Sequence, residues 1–367
     1  MKNALTSLAI VTAILAQQPV AVAQTNTTKV VNVYNWGDYI DPDIKQSFEK
    51  STGINIVYDV FDTNETLEGK LLSGNTGYDV VVPSNQFLAR HIQAGVYRKL
   101  DKAKIPNFKY LDPEFLKKLE SSDPGNNYGV PYLWASTGLI YNPQKVSAQI
   151  DSSEIDSWSA VFDIETVKKL SKCGVAFLDS PDEVITSALI YLGLDPNTSK
   201  SDDFKAAENL LSKIAPYVTY FNSSKHVSDL ANGNICIAIG YSGDAGMINS
   251  RAQEARNGVQ VKFIVPKEGA KLSVDMLAVP ADAKNTDNAE AFINYVIEPK
   301  NMAAITNYVH FPNAVPDAKQ FIAPEILDDT AIYPDAQTMA RLVVAKIQPP
   351  SINRLQTRAW NKIKSGK

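Results

Sequence analysis

The first hundred residues alternate between short apolar runs and amphipathic stretches, and this alternation constrains the fold more than any other feature. Strands are predicted at 29–34, 54–60 and 79–82, and helices are predicted at 41–51, 64–72 and 85–93. Asp41 and Pro42 start the first helix and Gly53 ends it. This β-α-β-α order predicts an α/β fold in which helices cover a mainly parallel sheet.

A second α/β series follows an aromatic, turn-rich segment at 128–142. Its clearest predicted strands, 175–178 and 235–239, each run into polar residues. We therefore expect two lobes joined by crossing segments. The first lobe is predicted to contain 24–136 and about 260–302, and the second about 137–259 and 303–367 with the C-terminal helices.

The amino terminus has the features of a secretory signal peptide over residues 1–23. Lys2 supplies the positive charge, residues 4–16 form a short apolar run, and Ala21-Val22-Ala23 fits a cleavage site. The apolar run is too short to span a bilayer. We therefore expect an exported protein.

Charge and cysteine content narrow the classes of function. The predicted signal peptide contains one lysine and no acid, so the rest of the chain has a formal net charge of −5, against −4 for the whole. Without clustered Lys or Arg, such a chain is a poor candidate for binding nucleic acid. An oxidising compartment favours pairing of Cys173 with Cys236, and two separate buried thiols are the alternative. Neither cysteine has a second Cys or His at ligand spacing, so no metal site is expected.

Trp36, Asp38 and Tyr39 follow the first predicted strand and combine aromatic rings with a carboxylate. An ammonium over such a ring gains about 0.5–2 kcal/mol, and a carboxylate adds a charge-assisted hydrogen bond. In open α/β sheets, ligands bind beyond the carboxyl ends of the strands, where these residues and Ser84 fall. The segment predicts a site for an organic cation, with an ordinary strand end as the alternative.

Enzyme chemistry has little support in the sequence. His91, His226 and His310 lie outside any H-E-x-x-H zinc motif, and no G-x-S-x-G nucleophile elbow occurs. The adjacent acids Asp182 and Glu183 resemble a glycosidase pair, but this pattern is common and weak. An exported hydrolase is therefore the least favoured function. A receptor for another organic cation and a sensor without a transport role remain open.

Several stretches share the order and spacing of one known family. They are YNWGDYI at 34–40, VYDVFD at 57–62, LEGKL at 67–71, YDVVVPS at 78–84, PYLWASTG at 131–138, DLANG at 229–233 and RAW at 358–360. On these stretches the chain resembles the periplasmic polyamine-binding proteins of ABC transporters. The resemblance implies a two-lobed, type II solute-binding fold that closes around a ligand in the cleft. It also implies a monomer in the periplasm, a linear polyamine such as putrescine as ligand, an inner-membrane ABC permease as partner, and no cofactor.

The resemblance assigns roles to individual residues. One wall of the cleft is expected from Trp36, Asp38, Tyr39 and Ser84, and the other from Glu183, Tyr241 and Asp244. Asp275 matches a ligand carboxylate near the crossing strands, and Phe311 stands where putrescine receptors of the family have a Tyr. Cys173 and Cys236 match positions that form a disulfide in close relatives.

Three departures from the family pattern bear on specificity. Tyr241 replaces a Trp, Gly37 replaces a Ser or Thr, and Ser273 stands where the family places a Phe or Trp. Loss of the aromatic ring at 273 weakens cation–π contact and enlarges the binding slot. Because Asp38, Asp244 and Asp275 remain, the resemblance still implies a polyamine, while the exact polyamine stays open.

Overall fold

The computed structural model describes residues 29–152, 154–346 and 348–366, so the predicted signal peptide lies outside the described residues. The strands are β1 (Lys29–Trp36), β2 (Ile54–Phe61), β3 (Val80–Val81), β4 (Gly129–Tyr141), β5 (Val175–Phe177), β6 (Tyr220–Phe221), β7 (Ile237–Tyr241), β8 (Lys262–Ile264), β9 (Ala270–Ala278) and β10 (Leu342–Val344). The first helices are α1 (Pro42–Thr52), α2 (Asn64–Leu72), α3 (Asn85–Gln93), α4 (Pro113–Leu119), α5 (Pro143–Ser147), α6 (Ser159–Phe162), α7 (Ile164–Leu170) and α8 (Pro181–Tyr191). The remaining helices are α9 (Ser201–Ile214), α10 (Lys225–Ala231), α11 (Asp244–Glu254), α12 (Thr286–Val296), α13 (Pro299–Val309), α14 (Pro324–Leu327), α15 (Ala336–Ala340) and α16 (Pro350–Ser365). Short 3₁₀ helices occur at Lys102–Lys104, Pro106–Tyr110, Ala215–Tyr217 and Pro316–Phe321.

The strands form one hydrogen-bonded path in the order β2-β1-β3-β9-β4-β7-β5-β6, with β10 beside β9 and β8 beside β4. Parallel pairs join β1 to β2 and β3, β5 to β6 and β7, and β10 to β9. The central strands pair antiparallel, β9 with β3 and β4, and β4 with β7 and β8. The sheet is thus mixed, because the crossing strands place antiparallel pairs between the parallel outer ones.

Strand β4 is shared by both halves of the molecule. Residues 129–136 pair with β9 across a register shift, whereas 137–141 pair with β7 and β8. Every residue of the strand is buried, so it lacks the polar alternation that marks a half-exposed strand. This burial explains why the sequence pattern indicates turns here and not a strand. The predicted crossing between the two halves does lie in this region.

Local signals place the first helices as predicted. The Asp41 carboxylate caps α1 by accepting a hydrogen bond from the Asp43 backbone N–H at 2.8 Å. Pro42 occupies the first turn, where its missing N–H costs nothing. Gly53 ends the helix with φ 68°, in the left-handed region that favours glycine. Helices α2 and α3 have the predicted bounds.

Two main cores lie on either side of the crossing strands. The first gathers β1, β3 and α1 around Val33, Val80 and Phe48, and the second gathers β5 and β7 around Phe177 and Ile239. Buried residues from 303 to 332 belong to the first core, including Ile305, Val309 and Phe311. The sequence had placed this segment in the second lobe. Helix α13 follows α12 directly and stays on the same core, so we propose a first lobe that includes 303–332, with α16 on the second core.

Cys173 and Cys236 form a disulfide with their Cα atoms 5.5 Å apart, which confirms the expected pairing. The bond joins the turn after α7 to the residue before β7. Within the described ranges, none of the helices combines the length and apolar character needed to cross a membrane.

Candidate functional site

The residues predicted for the site surround a single cavity of about 150 Å³ that both halves of the molecule line. The predicted residues along this cavity are Trp36, Gly37, Asp38, Tyr39, Ser84, Glu183, Tyr241, Asp244, Ser273, Asp275 and Phe311. Other lining residues include Phe61, Asp62, Asn64, Ala135, Ser223, Ser224, Val227, Met247 and Arg251. The structure therefore brings every predicted site residue together, while their contact with a ligand stays a prediction.

The topology explains why these residues meet. Strand β1 ends at Trp36 and β7 ends at Tyr241, while Ser84 follows β3 and directly precedes α3. Glu183 and Asp244 lie in the first turns of α8 and α11. A carboxylate is favoured in the first turn of a helix, where the helix dipole is positive. The cavity therefore forms at strand ends and helix starts, as the α/β pattern predicts.

Asp275 is the most strongly perturbed acid in the cavity. It lies on β9, is 8% exposed, and accepts a 2.7 Å hydrogen bond from the Tyr39 hydroxyl. Burial raises the pKa of Asp275 to about 7, and the negative charge of Glu183 adds to this rise. The Tyr39 hydrogen bond and the Lys271 charge lower the pKa only in part. Without a ligand, the carboxyl is thus near half ionisation at neutral pH.

Glu183 is held by groups of the protein itself. One carboxylate oxygen accepts a hydrogen bond from the Thr137 hydroxyl. The other lies 2.7 Å from the Lys271 Nζ and 3.4 Å from the Ser273 hydroxyl. Lys271 also contacts Asp182. Although burial alone favours the neutral amine, these two carboxylates raise the pKa of Lys271 above its usual value.

Asp244 is buried beside a histidine. Its Oδ2 lies 2.8 Å from His226 Nε2 and accepts a hydrogen bond from the Tyr241 backbone N–H at 2.9 Å. His226 Nδ1 is buried without a hydrogen-bond partner among the described residues. At this distance the His226 Nε2–H can donate to the Asp244 carboxylate. Asp244 is therefore held in place by an imidazole and a backbone N–H.

Asp38 lies at the mouth of the cavity. Its carboxylate forms a 2.6 Å ion pair with Arg251 of α11, and the two side chains are 65% and 43% exposed. Because solvent screens exposed pairs, this contact contributes at most about 1 kcal/mol. It joins the end of β1 to the helix on the other side of the opening.

Aromatic rings form the apolar part of the wall. The ring of Tyr39 packs edge to face on Phe311 at 5.1 Å, and Trp36 lies 4.5 Å from Phe61 between ring centroids. Burial raises the pKa of Tyr39 well above its usual value, so its hydroxyl is a donor. The Trp36 indole nitrogen and the Ser84 hydroxyl are buried without partners in the described part of the chain. Unpaired buried polar atoms of this kind indicate that a ligand or water completes them.

Sequence reasoning missed four charged or titratable side chains in or beside the site: Asp62, Arg251, His226 and Lys271. Arg251 lies on a helix and His226 on another, at positions that read as surface residues. Lys271 lies on β9 and is 2% exposed, although lysine is rarely buried without a partner. Its position two residues before Ser273 on the same strand face is the one available signal, because side chains alternate along a strand.

Comparison with known proteins adds independent findings. The family described as bacterial extracellular solute-binding protein matches residues 43–334. The chain is 53% identical to the putrescine-binding periplasmic protein SpuD of Pseudomonas aeruginosa, over 96% of each chain. It is 50% identical to the putrescine-binding periplasmic protein PotF of Escherichia coli, over 92% of each. A solved Listeria monocytogenes structure, provisionally described as a spermidine/putrescine ABC transporter, has a TM-score of 0.83 at 30% identity, covering 92% of this chain and all of that one.

Proposed function

The chain belongs to the bacterial extracellular solute-binding proteins, and from this premise we propose that it is the substrate-binding component of an ABC transporter for a linear polyamine. Putrescine, named for two relatives that match nearly the whole chain, is the leading ligand. The protein would act in the periplasm and deliver the ligand unchanged to an inner-membrane permease. The monomeric state that the family resemblance implies stays a prediction.

The observation that carries the proposal is the set of three buried acids in one aromatic-lined cavity. Glu183, Asp244 and Asp275 are 4%, 5% and 8% exposed. Buried carboxylates are costly unless a cation pairs with them. Lys271 already pairs with Glu183, so a ligand ammonium would add its charge-assisted hydrogen bonds at Asp244 and Asp275. The rings of Trp36 and Tyr39 suit the methylene chain between two ammonium groups, at about 0.8 kcal/mol for each buried methylene.

Binding is coupled to closure in this proposal. Asp275 lies on the first half, whereas Asp244 starts a helix of the second. A diamine that reaches both acids makes its full set of contacts only when the halves are together. Its differential affinity would then shift the population toward the closed form, which the permease recognises.

A thermal-shift panel tests the function directly. We expect putrescine, cadaverine, agmatine, spermidine or spermine to stabilise the purified protein, since a ligand at one hundred times its dissociation constant adds about 2.7 kcal/mol. Butylamine and 1,4-butanediol are the controls, because each keeps the methylene chain but lacks one or both charges. Absence of a shift with every polyamine would contradict the proposal.

The variant Asp275→Asn locates the site. Removing this carboxylate leaves a buried ammonium unpaired, at a cost of about 3–5 kcal/mol, so polyamine affinity should fall by at least a hundredfold. Isothermal titration calorimetry measures the affinity, and circular dichroism checks the fold. Asp328→Asn is the matched control, since Asp328 is exposed and outside the cavity. Unchanged affinity in Asp275→Asn would show that the ligand binds elsewhere.

A further inference from the structure

Lys271 places a protein-bound ammonium against one of the three buried acids. The lysine is 2% exposed, and its Nζ lies 2.7 Å from the Glu183 carboxylate while also contacting Asp182. Asp182 lies outside the cavity, where it accepts a hydrogen bond from the Gln86 amide. The acid that faces the cavity therefore already has a cation as its partner.

The hydrogen-bonding capacity of Glu183 is also taken up. Thr137 donates to one of its oxygens, and Lys271 and Ser273 approach the other. A ligand ammonium would have to displace Lys271, which would leave a buried lysine with one carboxylate fewer. Such an exchange of one ammonium for another yields little net attraction for the ligand.

Among the described residues, neither of the other two buried acids forms an ion pair with a lysine or an arginine. Asp275 accepts its hydrogen bond from the Tyr39 hydroxyl, and Asp244 lies beside the His226 imidazole. The cavity thus offers a ligand two buried carboxyl groups, while further acids, Asp38 and Asp62, lie at its exposed mouth.

We propose that Lys271 is a specificity-determining residue that withholds Glu183 from the ligand and so selects diamines over triamines and tetramines. The inference rests on the proposed function. Two ammonium groups match Asp244 and Asp275, whereas a third would enter the cavity without a buried carboxylate to pair with it. Desolvating an unmatched ammonium opposes binding of the longer polyamine.

The experiment compares the dissociation constants of putrescine and spermidine by calorimetry. We expect the natural chain to bind putrescine at least tenfold more tightly than spermidine. In Lys271→Met the freed Glu183 becomes available to a third ammonium, so the preference should shift toward spermidine by about tenfold, equivalent to about 1.4 kcal/mol. Lys271→Arg keeps a cation beside Glu183 and should keep the natural preference.

The double variant Lys271→Met/Glu183→Gln identifies the group responsible. It removes both charges and should return the preference to that of the natural chain. A ratio of two constants cancels any uniform loss of affinity from reduced stability. If Lys271→Met does not fold, Lys271→Gln removes the charge while keeping a hydrogen-bond donor, and the same shift is expected from it.

The possible outcomes separate this inference from the proposed function. If the natural chain binds no polyamine, both the proposed function and the role of Lys271 fail. If it binds spermidine as tightly as putrescine, or if Lys271→Met leaves the preference unchanged, the role of Lys271 alone is overturned. A shift that persists in the double variant also overturns it, because Glu183 would then not be the withheld acid.

Discussion

At the residue scale, the cavity contains the buried carboxyl of Asp275, whose protonation we expect to be linked to ligand binding. Asp275 titrates near neutrality because it is buried and lies near Glu183. A ligand ammonium beside it favours the charged carboxylate, so binding would lower its pKa and release a proton. Ligand binding and ligand-free stability should consequently respond to pH in opposite directions.

We expect polyamine affinity to rise by about tenfold from pH 6 to pH 8, because the ionised fraction of a carboxyl with pKa near 7 rises by that factor. Titration calorimetry across this range, in buffers of different ionisation enthalpy, measures both affinity and proton release. Asp275→Asn should show no such dependence in its residual binding. A flat affinity profile in the natural chain would contradict the role given to Asp275.

The raised pKa of Asp275 also determines whether the stability of the ligand-free protein rises or falls with pH. The folded-state pKa of Asp275, about 7, lies above its ordinary value of 3.8. The folded state therefore holds a proton that the unfolded chain releases between these values. The contribution of Asp275 to ligand-free stability falls as pH rises through this window and then levels off above it.

Whether a residue of the cavity could be predicted from the sequence depended on its position relative to the predicted strands. Trp36, Asp38 and Ser84 could be predicted because they fall at strand ends of an α/β pattern. Glu183 and Tyr241 follow strand ends of the second half, and the family resemblance gave them a role. Asp275 and Phe311 depended on the resemblance alone. The structure places all four around the same cavity. Lys271 could not be predicted, since its burial depends on two acids eighty-eight and eighty-nine positions away.

At the element scale, the disulfide ties a connecting turn to a strand that ends in the site. Cys236 comes directly before β7, whose last residue is Tyr241. Cys173 follows α7, so the bond fixes the α7–β5 connection against the neighbouring strand. Neither cysteine lines the cavity.

Replacing both cysteines by alanine should lower the free energy of unfolding by about 4 kcal/mol, since the bond closes a loop of 63 residues. Urea unfolding of the variant measures this change, and the reduced natural protein provides the control. Putrescine affinity should stay within about twofold at a temperature where the variant is folded. A stability loss under about 1 kcal/mol would show that the crosslink constrains little.

Elements with strong local signals were predicted, and those set by tertiary context were not. The bounds of α2 and α3 match the prediction because their ends carry clear start and stop residues. Strand β4 was read as turns, since complete burial removes the alternation that reveals a strand. Residues 303–332 are predicted in the second lobe, and their packing on the first core is the basis for the boundary that we propose, because the periodicity of a helix does not encode the core against which it packs.

At the scale of the whole molecule, the two halves approach each other closely beside the cavity. Tyr241 and Met247, from the second half, pack against the first core. A Cβ atom added at Gly243 would lie 2.4 Å from the ring of Phe311. This contact leaves no room for a side chain at the start of α11.

We expect Gly243→Ala to weaken polyamine binding by roughly tenfold, because overpacking of this contact opposes closure by about 1–3 kcal/mol. Gly243 has φ −72°, which alanine adopts without strain, so the effect should be steric. Calorimetry measures the affinity, and small-angle scattering reports how far the halves close. Gly69→Ala is the matched control, since nothing lies within 4 Å of a Cβ there.

If Gly243→Ala binds the polyamine as tightly as the natural chain does, the Phe311 side chain can move away from the added methyl group without cost. Loss of affinity together with an unchanged scattering profile would place the effect at the ligand itself and would contradict a role in closure.

Because both halves share β4, they cannot be separated at a single position without dividing a strand. Its first part completes the sheet of one half and its last part completes the sheet of the other. Splitting the gene between the codons for Ser136 and Thr137 would give two polypeptides. Each would have a sheet edge with unpaired backbone N–H and C=O groups, which can pair with other chains. We therefore expect that neither half folds as an independent domain after recombination. The two halves have to be transferred together.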